Sequence, residues 1–164
     1  MTPDEISVFR QAKLLLALEC AGEPLDAERL GVYDFLAAHP LLLARGDDDP
    51  ERTALRLAGF DDRATEYASP AQRFVTAQLH LSHDLAALIG RGLIEVTATG
   101  RVTYRLTQEG ASMAARFTAM YAQLYRTAAR IVIRRLRRLS TRRLREGLRQ
   151  WLLPVPSSAV KDLT

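Results

Sequence analysis

Apolar side chains recur at helical spacing along most of the chain. Residues 4–21 place Ile6, Phe9, Leu14, Leu16, Ala17 and Leu18 on one thick face, with Lys13 among them, and Gly22 ends the run. That spacing predicts a helix, with Asp4 positioned to cap it. A second helix is predicted from Asp26 to Ala38, stopping before His39-Pro40 and turning Leu30, Tyr33, Phe35 and Leu36 inward. After Leu41-Leu42-Leu43, the acidic run Arg45-Gly46-Asp47-Asp48-Asp49-Pro50 reads as a loop. Residues 51–58 read as a short helix closed by Gly59. Ser69-Pro70 supplies an N-cap and a first-turn proline for a third main helix. It carries Phe74, Leu79, Leu81, Leu85, Leu88 and Ile89 and stops near Gly92.

The period then changes to two. Leu93–Thr97 and Val102–Leu106 flank Ala98-Thr99-Gly100-Arg101, which predicts a hairpin. Arg101, Thr103 and Arg105 share one face of its second strand, and Val102, Tyr104 and Leu106 the other. Thr107 caps a following helix, whose first turn Gly110 weakens. Met113, Phe117, Met120, Tyr121 and Leu124 carry that helix into an arginine-rich segment that Pro154 and Pro156 stop. Gly147 softens it. No internal repeat is visible.

The arginine-rich segment changes the picture. Ten arginines lie between Arg126 and Arg149, with Glu146 the one acid among them. Arg126, Arg130, Arg134, Arg138 and Arg142 are spaced by four, and Arg145 and Arg149 continue the stripe. On one continuous helix these side chains stack on one side, Arg135 joins them, and Arg143 lies opposite. Ala128, Val132, Ile133, Leu136 and Leu139 form the other side. The expectation is a long basic amphipathic helix. Like charges so close repel, by a few tenths of a kcal/mol per pair. An anion should relieve that cost: nucleic-acid phosphates, an acidic partner protein, or this chain's own acids.

The third source is substantial. Residues 1–70 hold 7 basic and 14 acidic side chains, whereas residues 126–164 hold 11 and 2, within a net charge of +4. Such asymmetry points to a polyanion or an acidic partner. Arginine outnumbers lysine 21 to 2, which suits bidentate contacts to phosphate or carboxylate as well as a GC-rich coding sequence. The 164-residue length suits one domain with an extension, and 48% hydrophobic residues allow a real core. No stretch is long and apolar enough to span a bilayer, and the N-terminus lacks the basic start of a signal peptide. With Cys20 the single cysteine, the expected location is the cytoplasm.

The order helix–helix–helix–hairpin–helix is that of a winged helix-turn-helix. Leu85-Ala86-Ala87-Leu88-Ile89-Gly90-Arg91-Gly92-Leu93-Ile94-Glu95-Val96, followed by Gly100 to Gly110, resembles the end of the recognition helix, the wing and the next helix start of that superfamily. The resemblance covers about residues 80–112 and speaks to fold more than function. The expected class is mainly α with a small β-hairpin, a winged helix-turn-helix with a long basic C-terminal helix. The expected organisation is a winged-helix domain over 1–125 with an inserted loop near 41–66, an Arg-rich helix over 126–153 and a tail over 154–164.

Base readout in a major groove wants Arg, Lys, Asn or Gln on the recognition helix. Gln72, Arg73, Thr76, Gln78, His80, Ser82, His83 and Asp84 are polar there but barely basic. Arg101, at the wing turn, suits a minor groove, or is an edge-strand charge that discourages aggregation. The expected binding residues are therefore Arg126, Arg130, Arg134, Arg135, Arg138, Arg142, Arg145, Arg149, Arg101 and Arg105, acting on phosphates more than bases.

No catalytic set is present: no phosphate-binding Walker loop, no Gly-x-Ser-x-Gly elbow, no His-Glu-x-x-His helix. His80, His83 and Asp84 share a helical turn but lack the further ligands of a metal site. Asp47-Asp48-Asp49 lacks calcium-loop spacing. Cys20 reads as a structural thiol. Trp151 with Leu148, Leu152 and Leu153 reads as an apolar docking end. No enzyme, cofactor or metal is expected.

The phrase from Leu25 to Pro40, with its preceding helix and the later wing, resembles the small middle component of bacterial three-component ABC-ATPase defence systems, which include Lamassu-type systems. The resemblance covers roughly residues 5–125. It implies a non-enzymatic winged-helix accessory subunit of an SMC-like ATPase complex with an effector, sensing foreign DNA without a membrane. The alternative is an autonomous winged-helix transcriptional regulator of MarR or PadR type, dimeric through its first and last helices.

Overall fold

The computed structural model describes residues 6–61 and 69–153. Among these residues seven α-helices and one antiparallel hairpin follow in the order α1 (Ser7–Ala21), α2 (Ala27–Ala38), α3 (Pro50–Ala58), α4 (Pro70–Gly90), β1 (Ile94–Thr97), β2 (Thr103–Leu106), α5 (Gln108–Ala115), α6 (Met120–Leu136) and α7 (Thr141–Trp151). A 3-10 turn, Pro40–Leu42, joins α2 to the loop before α3. The expected capping of α1 by Asp4 and the tail over 154–164 lie outside the described residues.

Local chemistry sets the helix starts. Asp26 accepts from the Arg29 amide at 2.7 Å, Ser69 from Gln72 at 3.1 Å and Thr107 from Gly110 at 3.0 Å. Each satisfies one of the amides that a helix start leaves orphaned. Asp49 caps α3 in the same way, with Pro50 in the first turn. Gly110, read as a weak point, is required by packing: a Cβ there would lie 1.8 Å from the Leu93 carbonyl oxygen.

The core is built from α1, α2 and α6, which pack on one another most extensively. Leu14, Leu15, Leu30, Tyr33, Leu36, Leu88 and Val132 are essentially removed from solvent there. Each buried aliphatic side chain contributes about 1.5–3 kcal/mol relative to exposure. The opposite side of α6 is covered too. Ala128 and Ile131 meet Leu41, Ala44 and Leu55, so α3 docks behind α6. The hairpin pairs Ile94 with Leu106, Glu95 with Arg105, Val96 with Tyr104 and Thr97 with Thr103. Leu25, between α1 and α2, adds a bridge at its edge, exchanging hydrogen bonds with Tyr104 at 3.0 and 2.8 Å.

The long C-terminal helix is not continuous. The segment expected to run from Thr107 to residue 153 is divided into α5, α6 and α7. Between α6 and α7 the chain turns at Arg137–Leu139, and the Ser140 hydroxyl accepts from the Arg143 amide at 3.2 Å to restart a helix. The turn sends Leu144, 1% exposed, with Leu148 and Trp151, back onto the core. A straight helix would hold them in water. Gly147 belongs to this return, because a Cβ there would lie 2.6 Å from the Trp151 ring. Several of the apolar side chains that mark the helix runs are exposed: Phe9, Leu79, Ile89, Met120 and Tyr121.

Candidate polyanion or partner interface

The arginines of the stripe divide into two groups. Arg126 is in the interior, with its side chain 8% exposed. Its guanidinium meets Glu19 at 2.8 Å and donates to the Phe117 and Ala114 carbonyls at 2.5 and 2.6 Å. It thus closes the C-terminal end of α5, where helix carbonyls are unsatisfied and the dipole is negative. Arg126 is removed from the expected interface, and the reason is burial against Glu19.

Arg135 is half-buried. It donates to both Asp49 carboxylate oxygens, at 2.9 and 2.8 Å, and to Glu51 at 2.7 Å. Arg134 binds the same Glu51. The acidic start of α3 therefore clasps the end of α6, and Arg135 holds the Asp49 carboxyl below the usual carboxylate range. Arg145 grips Glu28 of α2 through two contacts, 2.5 and 2.8 Å, and lowers that carboxyl's pKa as well. The chain's own acids meet Arg126, Arg134, Arg135 and Arg145.

The rest face water. Arg130 on α6, Arg138 in the turn and Arg143 and Arg149 on α7 are exposed and make no ion pair among the described residues. Arg142 pairs with Glu146 one turn on, at 3.2 Å, but stays 89% exposed. Arg143, set opposite the stripe on a continuous helix, joins the exposed group because α7 begins afresh at Thr141. Leu144, Leu148 and Trp151 face inward, so Arg142, Arg143 and Arg149 occupy the outer side of α7.

The hairpin arginines are met by acids. Arg105 pairs across the hairpin with Glu95 at 2.5 Å, and Arg101 reaches Asp26 at 3.3 Å. Both remain more than half exposed, and exposed pairs of this kind add about 1 kcal/mol or less. Along α4 the exposed positions include Ala71, Gln72, Val75, Thr76, Leu79, Ser82, His83 and Ala86, with no lysine or arginine. Leu79 is 75% exposed.

Three arginines outside the expected set act as helix C-caps. Arg29 donates to the Leu136 and Leu139 carbonyls at 3.2 and 2.6 Å, with its guanidinium 5.8 Å from the Tyr33 ring centre. Arg45 donates to Leu153 at 3.0 Å and to Trp151, at the end of α7. Arg137 donates to Ala21 at 3.0 Å, at the end of α1. Their partners lie more than 100 positions away, so no local pattern announces them.

Other candidate chemistry is structural. Cys20 is half-buried, and burial pushes its thiol pKa up, which disfavours the reactive thiolate. Buried Tyr125 donates to Asp34 at 2.7 Å, and burial, with that carboxylate, raises its pKa well above the ordinary value. Among the described residues no group of three His, Cys, Asp or Glu is placed to hold a metal ion, and no helix is long and apolar enough to cross a membrane. Comparison with family models, curated proteins and solved structures returned no match.

Proposed function

We propose that the protein is a non-enzymatic winged-helix accessory subunit that contacts DNA phosphates, without reading sequence, through the exposed arginines of the α6–α7 corner. One observation carries this reading. Arg138, Arg143 and Arg149 stand exposed without an ion pair among the described residues, beside the 89% exposed Arg142, while acids of the same chain meet most of the remaining stripe. A cluster of unneutralised guanidinium groups on one outer face fits phosphate oxygens, which accept bidentate donation. The winged-helix assignment is supported by the helix and hairpin order and by the Leu25–Tyr104 bridge, which gives the hairpin a third extended neighbour between α1 and α2.

The surface of α4 favours a subunit over an autonomous regulator. A helix that reads bases presents hydrogen-bonding side chains to the groove. This one exposes Gln72, Thr76, His80, Ser82 and His83 but no arginine or lysine, and sets Val75 and Leu79 among them, a mixed surface that suits a protein partner. The partners implied are the SMC-like ATPase and effector of the resemblance drawn above.

The test has two arms. Binding to two unrelated DNA duplexes of equal length should differ by less than about threefold, and Arg138, Arg143 and Arg149→Glu together should abolish both. A preference of about a thousandfold for one sequence, the usual regulator range, would refute the reading. Expression with the neighbouring genes should recover the chain with an ATPase, and Leu79→Glu should reduce that recovery.

A further inference from the structure

A cavity of about 330 Å³ opens between α1, α2 and α4, away from the arginine corner. That size is in the range of pockets that enclose small organic ligands. Its walls combine apolar groups, Phe35 and Leu81 among them, with the cations Arg10, Lys13 and Arg73 and the carboxylates Asp34 and Asp84. The carboxylates have partners. Asp84, 2% exposed, holds Arg10 through contacts of 2.8 and 3.3 Å. Asp34 accepts from Tyr125 at 2.7 Å. Arg73 differs: its Nε is buried and has no hydrogen-bond partner among the described residues. A guanidinium never gives up its proton in a protein, so this donor cannot escape the cost by neutralising. Buried donors left unmet are rare and ask for an explanation. Lys13, 5% exposed, is the third cation of the same walls.

We propose that this cavity binds a small organic anion with an apolar body. Its acidic oxygen meets the Arg73 guanidinium, which lines the cavity, and its apolar part lies against Phe35 and Leu81. The cations of the walls outnumber the carboxylates by one, so a monoanion leaves the site neutral. Phe35 is already part of an aromatic group, with Phe74 at 5.2 Å and His39 at 5.0 Å, which suits a planar body. The proposal is independent of the DNA-contact reading, since none of the α6–α7 arginines lines the cavity.

The experiment titrates the isotopically labelled full chain with 2-naphthoate, 2-naphthyl phosphate and the neutral 2-naphthamide, following amide shifts. Both anions should bind, with shifts confined to α1, α2 and α4, and at least tenfold more tightly than the amide. The tighter of the two anions identifies the acid as carboxylate or phosphate. Arg73→Met should weaken the anions at least tenfold and leave the amide unchanged. Thr76→Trp, at an exposed position on the cavity wall, should block all three, and far-ultraviolet circular dichroism of both variants should match the parent. Equal affinity for the amide and the anions, anion binding unchanged in Arg73→Met, or no binding by about 5 mM would overturn it.

Discussion

Two halves of one arginine-rich segment have opposite fates. Over residues 126–137 every guanidinium but that of the exposed Arg130 is held by the protein: Arg126 closes α5, Arg134 and Arg135 clasp the start of α3, and Arg137 caps α1. Over residues 138–149 they turn outward, with only Arg145 tied to another helix. Amino-acid type and spacing are nearly the same in both. What differs is the surroundings. α6 is covered by α1 and α2 on one side and by α3 on the other, whereas the apolar packing of α7 comes from Leu144, Leu148 and Trp151 on one side. A guanidinium on a covered side of a helix must find acceptors inside the protein, whereas one on an open side, such as those of Arg130, Arg143 and Arg149, need not.

The largest expected effect comes from the covered half. Arg126→Ala leaves Glu19 and two carbonyls without their donor and should cost about 3 kcal/mol in chemical unfolding. A loss below about 0.5 kcal/mol, ordinary for a surface change, would put Arg126 on the wrong side of the comparison. Next is the α3 clasp: Arg135→Ala should cost about 1–2 kcal/mol, and Asp49→Asn should lose part of the same amount without adding to it. Acid should act on the same contacts. The Asp49 and Glu28 carboxyls have lowered pKa values in the fold, so they bind protons more weakly there than in the unfolded chain. Their contribution is complete at neutral pH and is lost as pH falls through the folded-state values, below the ordinary range near 4. Hydrogen exchange should then show α3 opening at acid pH before α1 and α2. The smallest stability effect belongs to the outer half: Arg143→Ala and Arg149→Ala should each change unfolding by less than about 0.5 kcal/mol.

The sequence was most legible where the determining contacts are local. The Asp26, Ser69 and Thr107 caps act within three residues of themselves, and the hairpin follows from a period of two around Gly100. The arginine stripe misled for a physical reason. Arginine favours helix, and its spacing of four runs through Arg138 to Arg142, so it conceals the turn between them. The interrupting signal was present in Ser140, an N-cap residue inside an apparently continuous helix. The separation of buried from exposed arginines was not legible, because Glu19, Glu28 and Glu51 reach the stripe from 83 to 117 positions away. The Arg73 cavity was hidden for the same reason, being assembled from three helices.

The central claim is that the outer half alone meets phosphate. The most direct measurement is the salt dependence of duplex DNA binding for the parent chain, for Arg138, Arg143 and Arg149→Ala together, and for Arg134 and Arg135→Ala together. Each phosphate contact contributes about 0.9 to the slope of log affinity against log salt. The account predicts that the outer triple loses roughly 3 from that slope while the inner pair keeps it nearly unchanged. An outer triple with the parental slope, or an inner pair that loses as much, would contradict it.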